Sequence, residues 1–238
     1  MKLYSYVVTI DHGLAPNPFW GYCTLAVCTP NHMGIKAQKD DWIIGTSPNS
    51  QGNKLIYAME ISERLSFETY YTDVRFEKKK PDVNGSWRER VGDNMYYKDQ
   101  QGKWIQHRTI QHQSPVLIRK DLKHPFVFIA EKFYYFGDHE IPIPFEFQEL
   151  IWKRRGCKYN HDHEIVKRFL TWLEENFDPG VLGNPKDNKE CKKSNSSLVQ
   201  QVVCQRIHPD VRICSASELP PPKAAASADC AWKARYHC

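Results

Sequence analysis

No stretch of this chain reaches roughly 18 consecutive apolar residues, so no membrane-spanning helix is expected. Met1-Lys2 leads straight into the strand-like LYSYVVTI with no small-residue cleavage site, which argues against a signal peptide. The P-loop, the G-x-G-x-x-G fingerprint and the H-E-x-x-H pair are all missing. Their absence removes the commonest sequence grounds for an NTPase, a dinucleotide oxidoreductase or a zinc peptidase. Cysteine is present, but zinc spacing is not: Cys23 and Cys28 are followed by no second Cys or His pair at a matching interval. Lying in a strand-like run, they read as small apolar side chains. Disulfides would need an oxidising compartment that nothing else here indicates. The chain is therefore expected to be cytoplasmic, with no metal and no cofactor. An excess of one charge is lacking too. A formal charge of +5 suits an anionic partner but falls short of a dedicated nucleic-acid-binding surface.

What is present supports a real core. With 238 residues, 41% hydrophobic and 13% aromatic, the chain has material for one substantial domain or a domain plus a tail. Leu3 to Ile10 predicts a strand with Tyr4, Tyr6, Val8 and Ile10 on one face. Tyr22 to Val27, Asp41 to Gly45 and Leu55 to Ile61 predict further strands, the last two joined by the polar turn Ser47–Asn53. Phe67 to Phe76 predicts a short helix or turn, and Pro81 to Val91 a loop. Met95–Tyr97 and Lys103–Gln106 flank a hairpin turn, while Val127 to Phe136 reads as one buried strand and Ile141 to Phe147 as a proline-stiffened turn. Asp162 to Phe177 is the clearest helix, with Ile165, Val166, Phe169, Leu170, Leu173 and Phe177 recurring at helical spacing and Asp162 placed to cap it. Beyond Pro185 the composition turns to Lys, Asn, Ser and Pro, so residues 1–185 form the expected domain and 186–238 a weakly ordered tail.

The most informative segment runs from Asp11 to Thr46. Asp11-His12-Gly13-Leu14-Ala15-Pro16-Asn17-Pro18-Phe19 is a loop stiffened by two prolines, and the small-residue strand Tyr22–Val27 follows at once. Such a loop holds side chains in set positions, as a binding site requires; the competing reading is an awkward crossover between two strands.

The ordered strings APNPF, GYCTLAVC, DWIIGT, LIYAM, FETY, DVRF, KP, VGDNMY, GKWIQ and FYYFG, spread from Ala15 to Gly137, resemble the family called nucleotide modification associated domain 2, found mostly in bacteria and phages. The resemblance implies a link to DNA base modification or phage defence and a partner that is a nucleotide or DNA carrying modified bases. The strand order is also similar to PUA-like modules of the EVE and ASCH type, which implies an α+β fold built as a small PUA-like β-barrel with flanking helices. In those modules a strand like Asp41-Trp42-Ile43-Ile44 follows a turn and lines a base pocket; here Asp40 stands where the turn calls for glycine.

A base offers a flat π face and an edge of donors and acceptors. Trp42, Phe19, Trp20 and Tyr22 can wall such a pocket, and Asn17, Asp11, Thr24, Thr46 and Asp41 can meet the edge, with Cys23 beside them. Core packing is the alternative for the aromatics, and a turn amide bonding its own backbone for Asn17. Gln106 and His112, in a polar run with His107, Arg108 and Ser114, can read a base edge or a phosphate, or lie in an exposed loop. Lys153, Arg154 and Arg155 suit phosphate contacts ahead of the Asp162 helix, or form a solvated basic turn. An enzyme using Cys23, His112 or Asp11 on a modified nucleotide is the second reading, and a protein-interaction module the third.

Overall fold

The computed structural model describes residues 1–27 and 34–190, so Cys28 and the tail from Cys191 onward lie outside the described residues. Among the described residues eleven strands follow in order: β1 (Leu3–Val7), β2 (Cys23–Leu25), β3 (Trp42–Thr46), β4 (Leu55–Glu60), β5 (Glu63–Ser66), β6 (Tyr96–Lys98), β7 (Trp104–Gln106), β8 (Phe126–Ala130), β9 (Phe133–Tyr135), β10 (Cys157–Lys158) and β11 (Gly180–Val181). Interspersed are the helices α1 (Phe67–Thr72), α2 (Trp87–Arg90), α3 (Pro115–Asp121) and α4 (His163–Asn176). One sheet of six strands has the order β10-β1-β3-β4-β9-β11; a second runs β2-β8-β5, and β6 pairs with β7 as a hairpin.

Side-chain alternation builds the layers. Along β1, Tyr4 and Tyr6, with Val8 just beyond, face a core shared with Cys23, Leu25, Phe128 and Ala130 of the second sheet. Leu3 points the other way, joining Trp42, Ile44, Ala58 and Tyr134 beneath α4. The second sheet is apolar on both faces as well, since Val127 and Ile129 pack outward against Phe67, Tyr70 and Phe76. Because both faces of each sheet are covered, the sheets stack. They do not close into the expected PUA-like barrel among the described residues, and the fold is α+β with open sheets. No helix among the described residues is long and apolar enough to cross a membrane.

Helix α4 forms as its pattern predicts. Asp162 accepts from the backbone N–H groups of Glu164 and Ile165 at 2.9 and 3.1 Å, a cap worth about 1 kcal/mol. Val166, Phe169, Leu170 and Leu173 fill the core layer below it.

Three readings need correction. The apolar run Val127–Phe136 is two strands, because Glu131-Lys132 cannot enter a buried layer; there the chain passes from the second sheet to the first. The stretch Pro81–Val91 holds α2, and its Ser86-x-x-Glu89 pair is the capping signature, with Glu89 Oε2 accepting from Ser86 N at 2.6 Å. Residues 186–190, assigned by composition to the tail, pack back on the first loop: Asp187 N–H donates to Asp11 O at 2.8 Å and accepts at Oδ2 from Asp11 N–H at 2.7 Å. Asp40 does take the left-handed conformation its turn needs, at φ +67°.

Candidate functional site

Asn17 and Thr24 bond each other's backbones, N–H to O at 2.8 and 2.9 Å, and so close the residues between them into a loop. Lys79 ends the 3-10 turn Val74–Lys79 and is buried beneath that loop. Its Nζ donates to Asn17 O at 3.0 Å, to Asn17 Oδ1 at 2.8 Å and to Tyr22 O at 3.0 Å. Three ammonium protons thus meet three acceptors, spread over both stems of the loop. Asn17 Nδ2 donates to Val91 O at 3.0 Å, and Asp93 accepts from Thr24 Oγ1 at 2.6 Å and from the Tyr70 hydroxyl at 2.8 Å. Burial pulls Lys79 down to about 8 and pushes Asp93 above the ordinary carboxylate range, while each charge steadies the other. A buried network satisfied in this way fixes one arrangement of the loop.

The loop tip is stiff. Trp20 and Gly21 both hold left-handed backbones, at φ +64° and +84°; glycine takes this freely, whereas a bulky residue costs about 1–2 kcal/mol. Such strain persists because the stems are pinned. Pro18, Phe19, Trp20 and Gly21 form one wall of a cleft of about 440 Å³. Its lining also includes Glu131 and Phe133 at the β8–β9 turn and Pro179 to Val181 at β11. Arg88 of α2 completes the rim, its guanidinium carbon 5.7 Å from the Phe19 ring centre and 5.2 Å from that of Trp87. Phe19 meets Trp87 edge to face at 5.4 Å, and Lys78 Nζ lies 5.7 Å from the Trp20 ring centre. Among the described residues, Arg88 and Glu131 have no ion-pair partner and the Trp20 indole Nε1 has no hydrogen-bond partner.

The candidate residues named from sequence divide into several places. Phe19 and Trp20 line the cleft. Asn17 and Thr24 lie beneath it as fully buried stem residues, and Tyr22 packs edge-on against Phe76 at 5.1 Å. Cys23 is buried with Sγ 4.0 Å from Met59 Sδ, and desolvation pushes its thiol far above the usual range, the reverse of a reactive thiolate. Trp42 stacks on Tyr134 at 6.4 Å in the α4 layer, and Asp41 clamps its turn by accepting from Lys2 N and Gln38 N. Thr46 is buried at the end of β3. Asp11 accepts from the Tyr135 hydroxyl and Gly13 N–H, and burial pushes it up to about 6.

His112 and Gln106 belong to a separate buried group. His112 Nδ1 lies 2.5 Å from Asp121 Oδ2, which also accepts from the Tyr96 hydroxyl at 2.8 Å; Gln106 Nε2 donates to the His112 carbonyl at 3.2 Å. Lys153, Arg154 and Arg155 are exposed on the turn before β10, away from the cleft lining. Among the described residues no group of three His, Cys, Asp or Glu side chains could hold a metal ion.

The profile of nucleotide modification associated domain 2 matches residues 1–192. The chain belongs to that family. No curated protein and no solved structure matches it. In this member of nucleotide modification associated domain 2 the string APNPF and the Gly21–Thr24 part of GYCTLAVC supply the stems and, with Trp20, the tip of the loop, and VGDNMY carries Asp93. Sequence reasoning missed Lys79, Arg88, Glu131 and Phe133. A signal existed for Glu131, since a charged pair interrupts an otherwise apolar run. Nothing local marks Lys79 as buried among its neighbouring lysines.

Proposed function

We propose that this domain binds a nucleotide, or a base flipped out of DNA, in a cytoplasmic DNA base modification or phage-defence system, and that the ligand enters the cleft beside Phe19 and Trp20. The observation that carries this reading is the cleft itself, walled by aromatics on a pinned loop and rimmed by an arginine with no ion pair among the described residues. Its volume lies in the range of small-ligand sites. A base stacked on an aromatic gains about 1–3 kcal/mol, and a guanidinium is the fork that meets a phosphate. A pinned loop also lowers the ordering cost of binding. Membership of a family associated with nucleotide modification points the same way.

The enzyme reading through Cys23, His112 or Asp11 has less support. Cys23 and Asp11 are fully buried in one core region, against Met59 and Tyr135, while His112 lies elsewhere against Asp121. Calorimetry of mononucleotides and short DNAs with natural and modified bases tests the proposal. Binding that Trp20→Ala and Arg88→Ala each weaken by about tenfold or more supports it. Unchanged affinity in both variants would remove the cleft from consideration, and no binding by any base would favour a protein-interaction module.

A further inference from the structure

Lys78 and Lys80 flank the buried Lys79, whose Nζ is tied to Asn17 O on one loop stem and to Tyr22 O on the other. The backbone that carries both neighbours is therefore fastened to the loop. Lys78 Nζ lies 5.7 Å from the Trp20 ring centre, and Lys80 Nζ lies 4.2 Å from that of Tyr71. Tyr71 in turn stacks on Tyr97 of β6, with ring centres 4.5 Å apart and planes 22° from parallel. Trp20 also adjoins Phe19, which meets Trp87 at 5.4 Å, and the Arg88 guanidinium carbon is 5.2 Å from the Trp87 ring centre. A connected path results, each step a ring contact or a chain neighbour. It pairs Arg88 with Trp87, Lys78 with Trp20, and Lys80 with Tyr71 and Tyr97, and all four rings are half-buried.

The cations on this path are open to an anion. Lys78 and Arg88 enter no ion pair among the described residues. Lys80 pairs with Glu77 at 2.6 Å, but Glu77 is exposed, and a surface pair of that kind contributes little and yields readily to a phosphate. Glu131 is the acidic residue of the cleft lining, and it comes from the β8–β9 turn, not from the elements that carry the three cations.

A mononucleotide brings one phosphate group and one base, too little for three cations and the rings beside them. A single strand brings both in repeating order, phosphates along its backbone and unstacked bases that lie flat on aromatic side chains. A duplex keeps its bases paired and stacked, and forgoes the ring contacts.

Resting on the nucleotide-binding reading of the cleft, we propose that this surface binds a single-stranded nucleic acid, with phosphates on Arg88, Lys78 and Lys80 and bases against Trp87, Trp20 and Tyr97. The base at the cleft is then one residue of a strand and not a free nucleotide.

Fluorescence polarisation of the full chain with a labelled, unstructured DNA octanucleotide containing all four bases tests this. The competitors are the unlabelled octanucleotide, its blunt duplex and the four deoxynucleoside monophosphates. The octanucleotide is expected to bind tighter than the duplex or any monophosphate by about tenfold or more. Its log affinity should fall against log salt with a slope of about −2, since each phosphate contact to a single strand adds about 0.7. Lys78→Gln and Lys80→Gln keep an uncharged stem and should each make that slope shallower by about 0.7, which a mere loss of folding stability does not do. A duplex or monophosphate that competes as well as the octanucleotide overturns the single-strand assignment, and so does a slope that either variant leaves unmoved. If in those cases Trp20→Ala still weakens monophosphate binding tenfold, the cleft reading stands without the strand. No binding by the octanucleotide or by any monophosphate overturns both.

Discussion

Lys79 Nζ stands 2.8 Å from Asn17 Oδ1 and 3.0 Å from Asn17 O, so a lysine from a 3-10 turn holds one stem of the Phe19–Trp20 loop by both of its oxygens. The third proton holds the other stem at Tyr22 O. The shape of the cleft wall therefore depends on a residue that does not line it.

Removing that cation should loosen the loop and the fold together. Lys79→Met leaves three buried acceptors and the Asp93 carboxylate without their partner. A loss of about 3–5 kcal/mol is expected in urea denaturation. Hydrogen exchange of the Phe19 to Tyr22 amides should rise beyond what global destabilisation accounts for; protection falling equally everywhere would reduce Lys79 to ordinary core support.

Asp11 makes stability depend on pH. Its carboxyl is pushed up to about 6 from an ordinary value of 3.8, chiefly by burial, so the folded state holds the proton more tightly than the unfolded chain does. The stability so gained is complete below about pH 4 and lost as pH rises through 6, on the order of 3 kcal/mol in all. Comparing urea midpoints of the parent and Asp11→Asn across that window isolates the effect. The difference between the two should change with pH, and a constant offset would count against it.

The His112–Asp121 pair gives a second stability test. Both side chains are buried, His112 carries a left-handed backbone at φ +47°, and Asp121 also anchors Tyr96. His112→Ala leaves the carboxylate buried without its ring partner, at a cost of about 3 kcal/mol or more. Asp121→Asn keeps both hydrogen-bonding positions in play and should cost less. Thermal melts of the two variants rank them, and the reverse order would show that the negative charge of Asp121, and not its hydrogen bonds, holds the pair.

Arg88 and the exposed basic turn can be separated directly. Arg88→Ala should weaken mononucleotide binding, whereas the triple change of Lys153, Arg154 and Arg155 to alanine should leave it alone. The triple variant should also melt within about 0.5 kcal/mol of the parent, as surface changes usually do. A mononucleotide affinity that follows the basic turn and ignores Arg88 would move the phosphate site.

Period and composition by themselves determined a good deal. The apolar repeat of α4 and its Asp162 cap, the alternating faces of β1, the β6–β7 hairpin and the stiffness of the Pro16–Pro18 loop are local properties, set by residues close in the chain. Tertiary structure decided what those elements face. Trp42 and Phe19 are both aromatics of the Asp11–Thr46 segment, yet the parity of β3 turns Trp42 toward α4 while the pinned loop places Phe19 in the cleft lining. Only long-range contacts could bring Glu131, Phe133 and Gly180 into one cleft lining with Trp20, and only folding could bury one lysine of the Lys78-Lys79-Lys80 run and leave Lys78 exposed. Patterns of three or four residues record which way a side chain points along its own element. The partner it meets is fixed by sheet order and crossover, and these arise from distant segments burying one another's apolar faces.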